Sequence, residues 1–95
     1  MEAGRLWLEL NDLALQLDLE VRMEHLEDSE GYQASSGFCR LGGRMVVFID
    51  PRYSMGERCR QLGLALLNAG DLDDLFMVPY VRDFLTKLES EQIEM

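Results

Sequence analysis

The sequence predicts a small α+β protein, and three of its features carry that prediction. The first is a change of hydrophobic period early in the chain, from the 3.6 residues of a helix to the two residues of a strand. The second is the pair Gly42-Gly43 between two apolar segments, which is typical of a tight hairpin. The third is the helix-start pattern Ser54-x-x-Glu57. Together they predict one domain over residues 1–95, with an N-terminal helix, a three-stranded antiparallel sheet, and two further helices on one face.

The N-terminal helix is predicted over residues 3–17. Its main apolar stripe consists of leucines spaced by three or four residues, which share one helix face. These are Leu6, Leu10, Leu13 and Leu17. Trp7 widens the stripe, whereas Leu8 and Leu15 lie away from it. Because a helix with apolar residues on a second side either sits deep or touches a partner, and the chain is short, we expect a partner at Leu8 and Leu15.

The three strands are predicted over residues 19–25, 37–41 and 44–50. The first alternates apolar and charged residues, which indicates a half-buried strand, and a polar loop is predicted over residues 27–36. The other two strands are joined by Gly42-Gly43, since glycine accepts the positive φ of a mirror-image turn. The two-residue turn fixes the register: Phe38 is predicted to face Val47, Cys39 to face Val46, and Arg40 to face Met45.

The last strand is apolar on both of its faces. Three strands with helices on one side would leave the outer face of the sheet uncovered within 95 residues. We therefore expect Val46 and Phe48 to contribute surplus apolar surface, and the chain to form an oligomer. The predicted interface consists of Trp7, Leu8, Leu15, Val46 and Phe48.

Two helices are predicted after the sheet, over residues 55–69 and 79–90. The first begins at a capping box, in which Ser54 accepts from the backbone N–H of Glu57 while the Glu57 carboxylate reaches back to Ser54. The second begins at Pro79, because proline suits the first helical position.

Charge limits the classes of partner. The formal net charge is −9, from 18 acidic and 9 basic residues. Such a field repels phosphate backbones and anionic membrane surfaces, which argues against nucleic-acid and membrane binding. Glu9 and Asp12 interrupt the first apolar stretch, so we expect neither a secretion signal nor a membrane span. Two cysteines in such a chain predict free thiols and a reducing, cytoplasmic location.

The stretch from Gly37 to Asp50, followed by Ser54-x-x-Glu57-Arg58, resembles the front half of the ImmA/IrrE-like zinc metallopeptidases. The resemblance covers about residues 5–69, and implies an order of helix, strand, hairpin and capped helix. The chain is also similar to a group of small bacterial proteins with a Gly-x-Cys-Arg-Leu hairpin and an Asp-Leu-Asp-Asp-Leu turn.

The sequence lacks the catalytic motif of those peptidases, H-E-x-x-H. H-E-x-x-H binds zinc because histidines at i and i+4 share one helix face, with the glutamate as base. The matching window here, residues 64–68, reads Leu-Ala-Leu-Leu-Asn. The resemblance therefore implies a scaffold without the catalyst, and no metal ligand, cofactor site or catalytic residue is transferred.

Other chemistry depends on isolated residues. His25 is the only histidine, and Cys39 and Cys59 would make an incomplete metal set with it. Structural roles explain these residues more simply.

Two charged clusters each allow two interpretations. The first is a group of carboxylates, which suggests either a weak cation site or helix capping, and consists of Asp71, Asp73 and Asp74. Five arginines near the hairpin suggest either an anion-binding patch or ion pairs with the acidic first strand. These are Arg40, Arg44, Arg52, Arg58 and Arg60.

The sequence thus predicts a non-enzymatic protein-interaction module that self-associates, or binds a protein partner, through its sheet or N-terminal helix. The alternative is a small ligand-binding domain or enzyme that uses His25, Cys39 and the nearby arginines. A third hypothesis is an acidic inhibitor or antitoxin-like partner of a basic protein.

Overall fold

The structure, a computed structural model, describes residues 2–24, 38–70 and 72–93. Within these ranges the chain forms three helices and three short strands, which confirms the predicted small α+β class. In chain order they are α1 (Ala3–Gln16), β1 (Glu20–Arg22), β2 (Phe38–Leu41), β3 (Arg44–Phe48), α2 (Met55–Ala69) and α3 (Pro79–Ile93). His25 and the predicted loop over residues 27–36 lie outside the described residues.

The hairpin of β2 and β3 has the predicted register. The two strands are antiparallel, with Cys39 opposite Val46 and Phe38 opposite Val47. Gly42 and Gly43 have φ values of +58° and +83°, the left-handed region that a mirror-image two-residue turn requires. The prediction for this hairpin is confirmed because turn length and glycine content determine its geometry locally.

The prediction that the whole sheet is antiparallel is wrong. The strand order is β1-β3-β2, and β1 runs parallel to β3, with Glu20 opposite Val46. Alternation of apolar and charged residues reports which side chains share a face, and carries no information about strand direction. The strand is also shorter than the predicted 19–25, since β1 spans Glu20–Arg22.

A tight reversal joins α1 to β1 without a glycine. Asp18 has a φ of +58°, a left-handed conformation that aspartate tolerates better than most residues. The N–H of Leu19 donates to the carbonyl of Ala14 (2.8 Å), and that of Asp18 to the carbonyl of Leu15 (3.2 Å). These two bonds form a Schellman motif, which places β1 against the end of α1.

Helices α1 and α2 contact the sheet, whereas α3, which was predicted to pack on the same sheet face, lies mainly against α2 and α1. Val47 and Ile49 contribute to a buried cluster whose other members come mainly from the three helices. The most deeply buried helical residues are Leu10, Leu62, Ala65, Leu66 and Val81.

The expectation of an uncovered outer sheet face is wrong for the single chain. Val46 is 1% exposed and Phe48 is 5% exposed. Neither belongs to the cluster between the helices and the sheet, so β3 is buried on both faces. A strand apolar on both sides is the pattern of such a doubly covered position.

Removing the N-cap of α2 is expected to lower stability moderately. The backbone N–H of Glu57 donates to Ser54 Oγ at 3.2 Å, which confirms that half of the predicted capping box. Ser54→Ala is expected to cost about 1 kcal/mol, or roughly 4–8 °C in Tm, measured by thermal circular dichroism. Ser54→Asp, which retains an acceptor, should remain near wild type. An equal loss in both variants would contradict the capping role.

Candidate functional site

The arginines near the hairpin mostly engage the chain itself. Arg44 Nη2 lies 2.8 Å from Asp18 Oδ1, and Arg44 Nη1 lies 3.6 Å from Glu20 Oε1. Arg22 Nε also donates to the Glu20 carboxylate. This hydrogen bond, with the charges of Arg22 and Arg44, holds the pKa of Glu20 below its ordinary value. The geometry supports the simpler hypothesis, in which arginines pair with the acidic first strand.

Three of the other arginines, Arg52, Arg58 and Arg60, each have partners of their own. Arg52 Nη2 lies 2.9 Å from Asp50 Oδ2, and Arg60 Nη1 lies 2.6 Å from Glu91 Oε1 on α3. Arg58 donates to the carbonyls of Pro51 (2.6 Å) and Tyr53 (3.1 Å). Arg40 is exposed on β2. An anion would therefore compete with existing ion pairs at most of these side chains.

The predicted thiol and imidazole sites are described only in part. Cys59 is buried, its Sγ donates to the Ala3 carbonyl at 3.3 Å, and burial raises the pKa of its thiol. A buried thiol with a raised pKa is a poor nucleophile. His25 and the side chain of Cys39 lie outside the described residues. Among the residues that are described, no three His, Cys, Asp or Glu side chains are grouped closely enough to hold a metal ion.

The predicted carboxylate cluster follows α2. Asp73 and Asp74 are exposed in a turn between α2 and α3, and Asp71 is outside the described residues. The N–H of Leu75 donates to the carbonyl of Leu72 at 3.1 Å, which closes this turn.

Three of the clefts on the surface are lined by described residues. The largest, about 380 Å³, lies between the end of α1 and β1, and includes Leu15, Val21 and Arg44. A second, about 200 Å³, lies between the end of α2 and the middle of α3. The third, about 140 Å³, lies between α1 and residues 76–78. Small-molecule sites usually have roughly 300–1,000 Å³, so only the first reaches that range, and its Arg44 is paired with two carboxylates.

The predicted interface residues divide into two groups. Leu8 is 63% exposed and Leu15 is 78% exposed, and Trp7 is partly buried against the core. Val46 and Phe48 are buried within the chain. Phe76 is an apolar surface residue, 86% exposed, that the sequence pattern does not reveal, because the region around it has no hydrophobic period to show which side it faces.

The resemblance would place H-E-x-x-H in the helix that follows the hairpin. Its matching window lies within α2, where Asn68 Nδ2 donates to the Leu64 carbonyl at 2.8 Å. Leu66 is fully buried in this window. The window therefore contributes to the core and to the helix itself.

Fold and surface together define a small α+β protein with exposed leucines on one helix. Compared with known proteins, the chain matches no family model, no curated protein and no solved structure. The resemblance to metallopeptidases stays a prediction. In the described part of the chain, no helix combines the length and apolar character needed to span a membrane.

Proposed function

We propose that this protein is a non-enzymatic protein-interaction module that self-associates through the outer face of α1, the side that carries Leu8, Asn11 and Leu15. The observation that carries the proposal is the exposure of Leu8 and Leu15, 63% and 78%, on the side of α1 away from the core. Burial of an exposed leucine stabilises a contact by roughly 1.5–3 kcal/mol. The proposed setting is the cytoplasm.

The spacing within the outer face of α1 supports a second copy of the chain as the occupant. Leu8, Asn11 and Leu15 are separated by three and four residues, the spacing of a helix–helix seam. Leu8 and Leu15 are seven residues apart, about 10.5 Å along the helix. In an antiparallel pair of α1 helices related by a two-fold axis, Leu8 of each copy meets Leu15 of the other, and the two Asn11 residues meet near the axis.

Asn11 suits a position on that axis. An amide carries both donors and an acceptor, and so can pair with a copy of itself. Its Nδ2 already donates to the Trp7 carbonyl at 2.8 Å, which fixes the side chain and leaves a second N–H for an intermolecular bond. A polar residue in an apolar seam specifies register at some cost in stability.

The charged variant Leu8→Glu/Leu15→Glu is expected to be a folded monomer. Two carboxylates per chain would face apolar partners across the interface, which should weaken the dimer by at least about 100-fold. Analytical ultracentrifugation over a range of protein concentrations measures the dissociation constant, and circular dichroism checks the fold.

The matched control is Tyr53→Glu/Tyr80→Glu, which adds the same charge at two other exposed apolar positions. This control should dimerise like the wild type. A wild type that remains monomeric up to millimolar concentration, or a dimer that both variants weaken equally, would contradict self-association through α1.

A further inference from the structure

A groove separate from the outer face of α1 lies between α1 and the connection before α3. Its walls are apolar, with Leu13 on one side and Met77, Val78 and Val81 on the other. The side chains of Glu9 and Asp12 also line it, and we call it the acidic groove. Its volume of about 140 Å³ is below the range of small-molecule sites, and corresponds to the side chains of a segment rather than to a whole metabolite.

Charge determines what the acidic groove can accept. Among the described residues, none that lines this groove is basic. Glu9 pairs with a basic side chain outside the groove, Arg5, whose Nε lies 3.8 Å from Glu9 Oε2. The Arg5 side chain is exposed, and ion pairs at the protein surface contribute little. An incoming cation can therefore replace Arg5 at small cost, and the net charge of −9 favours its approach.

Phe76 adds a second kind of attraction for a cation. It lines the acidic groove and is 86% exposed, so most of its ring surface faces solvent. A cation placed over an aromatic ring within about 6 Å is attracted by the ring quadrupole. An aromatic ring and two carboxylates around one groove together suit the flat, weakly hydrated guanidinium of arginine better than a neutral side chain.

We propose that the acidic groove binds an arginine-bearing amphipathic segment of a partner protein. The guanidinium lies between the Phe76 ring and the carboxylates of Glu9 and Asp12. An apolar side chain of the same segment packs on Met77 and Val78. The site shares no residue with the proposed dimer contact, and Asp12, a helical neighbour of Leu8 and Leu15, lies between the two surfaces.

The test uses the full chain and the capped pentapeptide Arg-Leu-Ala-Arg-Leu, with Gln-Leu-Ala-Gln-Leu as the uncharged probe. Binding is followed by ¹⁵N–¹H chemical shifts in 150 mM NaCl. We expect saturable shifts confined to Glu9, Asp12, Gln16 and the 76–78 segment. The uncharged peptide should bind at least about tenfold more weakly, because both carboxylates lose their partner.

Phe76→Leu removes the aromatic ring but retains an apolar side chain, and should weaken binding about three- to fivefold. Glu9→Gln/Asp12→Asn should weaken it by about three- to tenfold. Asp83→Asn/Glu89→Gln, with the same charge change on exposed positions of α3, is the matched control and should bind like the wild type. The Leu8→Glu/Leu15→Glu variant should also bind, which separates this site from the dimer contact.

Four results would overturn the proposal. The first is the absence of saturable shifts at 5 mM peptide, and the second is an equal loss of binding in the α3 control, which indicates diffuse charge attraction. The third is equal binding of the uncharged peptide, which indicates a purely apolar partner. The last is a shift of the groove resonances with protein concentration alone, which indicates that a second copy of this chain occupies the groove.

Discussion

Val46→Lys is expected to remove most of the stability of the protein. Val46 is 1% exposed in the central strand β3, and its neighbours in the register are Glu20 of β1 and Cys39 of β2. Moving an ammonium group from water into an apolar site costs several kcal/mol unless a built partner compensates. The carboxylate of Glu20 already accepts from Arg22. A chain of this length has a free energy of unfolding of roughly 5–14 kcal/mol, so this loss approaches the total.

Thermal and urea unfolding of Val46→Lys measure the effect, with Val46→Ala as the control that creates a cavity without adding charge. The alanine variant should lose roughly 1–3 kcal/mol and remain folded. The lysine variant should also become more stable as pH rises toward 10. Burial lowers the pKa of a lysine in the folded state, so the unfolded state binds more protons over that range.

This experiment also separates a core position from an interface position. If Val46 lay at a contact between copies, the lysine variant would be a folded monomer with the Tm of the isolated wild-type chain. If Val46 is a core residue, as its burial indicates, the variant is strongly destabilised at every protein concentration. A folded monomeric variant would therefore contradict the description of β3 as buried on both faces.

The sequence could predict those parts of the fold that depend on interactions between residues close together in the chain. The hairpin register was predictable because two glycines and a two-residue turn determine it locally. The start of α2 was predictable because the Ser54–Glu57 bond lies within one helical turn. The parallel pairing of β1 with β3 was not, since it joins segments more than 20 residues apart, and an alternating pattern is compatible with either direction.

The candidate surfaces also divide into those that a local pattern predicts and those that form between distant segments of the chain. Helical periodicity places Leu8 and Leu15 away from the core, and the structure finds both exposed. Phe76 and the acidic groove could not be predicted, because the groove forms where α1 meets residues 76–78, which are distant in the chain. Val46 and Phe48 were predicted to be exposed, because three strands with helices on one side would leave the other face of the sheet uncovered. In the structure both side chains are buried.

Gly63 is another residue that the pattern alone did not reveal. It lies inside α2 and is buried, although glycine costs a helix interior about 1 kcal/mol relative to alanine. A Cβ built at this position would lie 2.5 Å from Leu88 Cδ1 and 3.1 Å from Phe84 Cε2, both on α3. The glycine therefore permits the close approach of α2 and α3.

Gly63→Val is expected to destabilise the protein by about 2–4 kcal/mol. The added atoms overlap buried side chains of α3, and overpacking of a well-packed core typically costs 1–3 kcal/mol or more. A β-branched residue recovers only part of the helix propensity that glycine lacks. For a chain of this size the loss corresponds to a decrease in Tm of roughly 10–25 °C, measured by differential scanning calorimetry. Gly63→Ala should lose less, because improved helix propensity offsets part of the overlap.

Gly56 provides the matched control within the same helix. A Cβ built at Gly56 has no neighbour within 4 Å, so Gly56→Val should remain close to the wild type in stability. The double variant Gly63→Ala/Leu88→Ala tests the mechanism, because truncating Leu88 removes the atom that would lie 2.5 Å from the new Cβ. Its total loss should be smaller than the sum of the two single losses, by roughly 0.5–3 kcal/mol. Strict additivity, or equal losses at Gly56 and Gly63, would mean that a cost other than contact with α3 determines the requirement for glycine.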